Sequence, residues 1–121
     1  MASQSAFLAL QQQYRPAARL LCGQFAIPVD QAVEYAHQLA ALGIRAVGVD
    51  RYYFVQHEGR QHPVEVPIGA LGNGPESDVE AGLQMVRGAV TEVAPAVDHT
   101  IEYVAVMPDV EWLDEGFFRL P

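Results

Sequence analysis

Apolar residues open the chain at helical spacing. Phe7, Leu10 and Tyr14 fall at i, i+3 and i+7, and Leu20 and Leu21 continue the apolar side. The spacing predicts helix over 5–14 and again over 16–23. Pro16, which lacks a backbone donor and restrains Arg15, either kinks one helix or opens a second. Gly23 then offers a stop. The next helix is expected to be capped by Asp30 and to bury a stripe of Val33, Ala36, Leu39, Ala40 and Leu42. Gly43 suits the left-handed residue that closes it.

From Ile44 the period changes. Residues 44–56 are rich in β-branched and aromatic side chains and predict a strand, with Gly48 marking a bulge or a close approach of another backbone. Glu58-Gly59 forms a hairpin turn, and 60–68 return as a second strand. Pro63 and Pro67 each lack an N–H, so this strand is expected at an edge or interrupted. After a glycine-rich loop over 69–76, Ser77 and Glu80 have the spacing of a capping box. Val79, Leu83, Val86, Val90 and Val93 follow as a buried stripe, weakened by Gly82 and Gly88 and ended by Pro95. A third strand is expected over 101–107 and a short fourth over 116–120. The order ααββαββ predicts a single α+β domain over 1–121, with helices on one face of a small, mainly antiparallel sheet.

Charge changes the picture. The chain has 15 acids against seven arginines and no lysine. Residues 1–60 carry four acids and five arginines, a net of +1; residues 61–121 carry eleven acids and two arginines, a net of −9. Such a surface repels nucleic acid and attracts a basic protein, although the acids also serve solubility alone. A lone cysteine, Cys22, fits a reducing compartment, and no apolar run approaches the ~20 residues of a membrane span. A soluble cytoplasmic protein is expected.

Residues with catalytic or ligating chemistry form no complete motif. His57 and His62 lie five apart in the expected hairpin, diagonal on one sheet face, without an evident third ligand; no metal site is expected. The glycines of 69–76 lack the spacing and the lysine of a phosphate loop. Cys22 follows a helix rather than preceding one, which disfavours thiolate. His37 and His99 have no local partner for a triad. No enzyme activity, catalytic residue or cofactor is expected. The C-terminal stretch is richer. Asp98, Glu102, Asp109, Glu111, Asp114 and Glu115 run without an intervening Lys or Arg, and Trp112, Phe117 and Phe118 are interleaved. Aromatics anchor interfaces while carboxylates steer a basic partner, so Asp109, Glu111, Trp112, Asp114 and Glu115 are candidate partner-binding residues.

One segment carries a family likeness. Residues 26–33 (AIPVDQAV), Leu39–Gly43 and 44–53 (IRAVGVDRYY) resemble bacterial polymorphic-toxin immunity proteins with a Gly-Gly-Asp motif. Here the second glycine of that motif is Val49. The resemblance implies a protein that binds and neutralises a cognate toxin, and by motif position it points to Gly48, Asp50, Tyr52 and Tyr53. The leading expectation is therefore a non-enzymatic immunity-type inhibitor. The alternatives are a homodimeric adaptor joined through a sheet edge or through Trp112 and Phe117, and a small-molecule-binding domain with 69–76 as a lid.

Overall fold

The computed structural model describes residues 4–21, 24–66, 78–91 and 102–109. The chain begins with helix α1 (Gln4–Tyr14), whose buried residues are Phe7, Leu10, Gln11 and Tyr14. A 3₁₀ turn over Arg15–Ala17 holds Pro16 near its start, and Ala18 is already extended. The expected helix over 16–23 is therefore not formed. Pro16 interrupts helical hydrogen bonding, and the chain instead pairs with itself as strands β1 (Arg19–Leu21) and β2 (Gln24–Pro28). They run antiparallel, with Arg19 opposite Ala26 and Leu21 opposite Gln24. Periodicity missed β2 because Phe25, Ala26 and Ile27 are all buried, leaving no polar position to reveal alternation.

Helix α2 (Val29–Ala41) starts two residues earlier than expected. Pro28 is its N-cap and makes no side-chain cap, while Asp30 lies in the first turn, where its charge favours the helix dipole. Its buried residues are Ala32, Tyr35, Ala36 and Leu39, so the buried face is turned from the expected stripe toward Tyr35. Gly43 closes it at φ +76°, donating to Ala40 O at 2.9 Å, while Ile44 donates to Leu39 O at 3.0 Å. Those two bonds are a Schellman closure, which needs the left-handed residue glycine supplies.

Strand β3 (Ala46–His57) and strand β4 (Arg60–Val66) form the expected hairpin, with His57 opposite Arg60. Glu58 and Gly59 take φ of 52° and 74°, the positive pair characteristic of a type I′ turn. Helix α3 (Val79–Thr91) is capped by Asp78, whose Oδ1 accepts from Ala81 N–H at 2.9 Å. Glu80 Oε1 accepts from Gln84 Nε2 at 2.8 Å, and Ser77, the other half of the expected capping box, lies outside the described residues. Strand β5 (Tyr103–Pro108) completes a five-stranded sheet of order β1-β2-β5-β3-β4, antiparallel throughout. Among the described residues the proline-bearing β4 is an edge of the sheet, consistent with its missing donor. Between β3 and β5 the register slips from Ala46↔Pro108 to Gly48↔Met107, which resolves Gly48 as the neighbour of a bulge.

Alternation along the strands divides the sheet into two faces. Phe25, Ile27, Val49, Val104 and Val106 join residues of all three helices in the main core. Leu21, Ala26, Tyr52 and Ala105 form a second cluster with Phe54 and Tyr103 packed against it, and no helix residue belongs to that cluster. The fold is α+β with its described helices on one side of the sheet. No described helix is long and apolar enough to cross a membrane. Cys22, Trp112, Phe117 and Phe118, the 69–76 loop and the expected 116–120 strand lie outside the described residues.

Candidate functional site

The helix-free face is built from alternate residues of three strands. Asp50, Tyr52 and Phe54 are two apart on β3 and so share this face, while Arg51 and Tyr53 project from the other side of the strand. Tyr103 stands beside them on β5: its ring packs edge-on against Phe54, with centroids 5.6 Å apart. The Arg19 guanidinium, carried in by β1, sits 4.9 Å from the Phe54 centroid and 5.6 Å from that of Tyr103. This is cation–π geometry, and it holds both rings in one orientation. Tyr52 is buried, and its hydroxyl donates to Gln24 Oε1 at 2.8 Å. Asp50, Phe54 and Tyr103 are half-buried and Arg19 is exposed. The face therefore combines a supported aromatic pair with a carboxylate and a guanidinium at its margins.

The expected site residues are only partly brought together. Asp50 and Tyr52 share the aromatic face, with Tyr52 supporting it from beneath. Tyr53 points to the opposite side of the sheet. Asp109, just past β5, is tied to Arg45: its Oδ2 accepts from Nε at 3.0 Å and Nη2 at 2.8 Å. Its amide also donates to Arg45 O at 2.9 Å, so this carboxylate has a structural partner. Glu111, Trp112, Asp114 and Glu115 lie outside the described residues. Arg19, Phe54 and Tyr103 were missed. The alternation from Asp50 through Tyr52 to Phe54 was the available signal, but Arg19 was hidden by the helical reading of its segment.

On the helix side, Arg51 is fully buried, and its Nη1 donates to Ala89 O at 3.2 Å in the last turn of α3. A cation there suits the negative end of the helix dipole. Tyr14 and Tyr35 meet edge-to-face with centroids 5.0 Å apart. Burial, and secondarily the neighbouring Tyr14, pushes the Tyr35 phenol well above its ordinary value. Burial also raises Tyr14, with the Glu34 carboxylate adding to the effect. His37 accepts through Nε2 from Arg87 Nη2 at 2.7 Å, joining α2 to α3 rather than entering a triad. Among the described residues no three of His, Cys, Asp and Glu gather to hold a metal ion. Comparison with family models, curated proteins and solved structures gives no match.

Proposed function

We propose that this chain is a non-enzymatic, cytoplasmic immunity-type protein that binds and neutralises a basic bacterial toxin, docking it on the helix-free face of the sheet. The observation that carries this reading is the Arg19–Phe54–Tyr103 stack on a face to which no described helix contributes. Rigid, partly buried aromatics are the side chains that most often anchor a protein interface. The net charge of −8 favours a cationic partner and accelerates its approach, while the aromatic anchors slow its departure. The likeness of 26–53 to toxin immunity proteins supports the same class of partner.

The experiment is a binding-rate measurement against the purified product of the neighbouring gene. Phe54→Ala is expected to raise the dissociation rate, costing about 2 kcal/mol or more of affinity. Asp50→Asn, and joint neutralisation of Glu111, Asp114 and Glu115, should lower the association rate mainly at low salt. Unchanged rates in all three variants, with their folding verified, overturn the docking face. A second reading, a homodimer through the β1 edge, is favoured by Leu20, which is 46% exposed there. Concentration-dependent light scattering showing a tight dimer that ignores the basic partner would establish that reading instead.

A further inference from the structure

We propose that His57 and His62 form a two-imidazole chelate for a late first-row divalent ion, with Cu²⁺ held tightest. The hairpin creates the pair. With Glu58 and Gly59 in the turn, His57 is opposite Arg60 and His62 opposite Val55, so the two histidines are diagonal neighbours on one face. Their ring centroids are 6.1 Å apart with the planes tilted by 59°. One ion shared by two imidazoles sets the centroids about 4.5 Å apart when the two nitrogens bind at a right angle and about 6 Å apart when they bind in line. This follows from a metal–nitrogen bond of about 2.0–2.1 Å and roughly 1 Å more to each ring centre. The observed 6.1 Å lies at the wide end of that range, and both rings are exposed, with room to turn their nitrogens toward one ion.

The donor set selects the ion. Neutral imidazoles suit Zn²⁺, Ni²⁺ and Cu²⁺, with Cu²⁺ first in the affinity order, whereas Ca²⁺ and Mg²⁺ require oxygen cages. Water completes the coordination. Glu58 Oε1 lies 3.8 Å from His57 Nε2, adding negative charge beside the site without being a required ligand. Because ligation needs the neutral rings, acid releases the ion. The site is on the sheet side opposite Phe54 and Tyr103, so it stands or falls independently of the docking face.

The full chain is to be titrated with CuCl₂, following amide and imidazole signals by NMR and affinity by calorimetry. One saturable site is expected, with paramagnetic broadening centred on 57–62. Losing an outer-shell partner already costs metal sites about 10–100-fold, so His57→Ala and His62→Ala should each weaken binding by at least about tenfold. MgCl₂ should bind nowhere on the hairpin. The proposal is overturned if both single variants bind Cu²⁺ as tightly as the unaltered chain. It is equally overturned if broadening follows His37 or His99 and spares the hairpin.

Discussion

Gly82 and Gly88 occupy the same helix and carry the same propensity cost, yet their surroundings are opposite. A Cβ on Gly82 would stand 2.7 Å from Ala46 N and 2.8 Å from Ala46 O, against the backbone of β3. Nothing lies within 4 Å of one on Gly88. Gly82→Ala is therefore expected to cost about 1–3 kcal/mol by overpacking, and Gly88→Ala to gain about 1 kcal/mol from helix propensity. Urea unfolding midpoints of the two variants check the opposed signs. Tyr35 makes a second residue-level prediction. Its buried phenol resists ionisation in the folded state, while the unfolded chain ionises near pH 10. Above that pH unfolding releases protons, so stability is complete below about pH 10 and falls as pH climbs toward the raised value. Tyr35→Phe should flatten the loss between pH 9 and 11, measured as the change in unfolding midpoint between those two pH values.

Among the elements, the cap of α3 is the most direct case. Asp78 supplies the acceptor for Ala81 N–H, so Asp78→Ala is expected to cost about 0.5–2 kcal/mol in thermal or urea unfolding. The helical register of this segment was legible from Val79, Leu83 and Val86, but the identity of the cap was not, because Ser77 and Asp78 are adjacent and equally able acceptors. The β3–β4 hairpin was legible for a firmer reason. Glu58-Gly59 needs positive φ at both positions, and Pro63, lacking an N–H, keeps β4 at the edge of the described sheet. The β1–β2 hairpin was not legible, since Leu20 and Leu21 extend a helical pattern until Pro16 breaks it and strand pairing takes over. The same error concealed the candidate face. Once Arg19 is on a strand, it meets Phe54 and Tyr103, residues distant in sequence that only sheet order brings together.

At the scale of the molecule, one feature organises the proposed function: the sheet has two unlike sides. The main core joins all three helices to one side, and Arg51 reaches from β3 to the end of α3 within it. The other side is left to Leu21, Ala26, Tyr52 and Ala105, with Phe54 and Tyr103 at its surface. Alternation of side chains is why the Asp50–Tyr53 run does not act as one patch. Asp50 and Tyr52 serve the aromatic side, while Arg51 and Tyr53 serve the other. Excess negative charge lies mostly elsewhere: six acids and one arginine are outside the described residues, against nine acids and six arginines within them. Long-range attraction and short-range anchoring are thus assigned to different parts of the chain. Growth of bacteria expressing the product of the adjacent gene, with and without this protein, tests the proposed neutralising role most directly. Restored growth with the unaltered chain and renewed arrest with folded Phe54→Ala is the predicted result. Arrest that persists despite abundant, folded protein, or an adjacent gene product that never arrests growth, would contradict it.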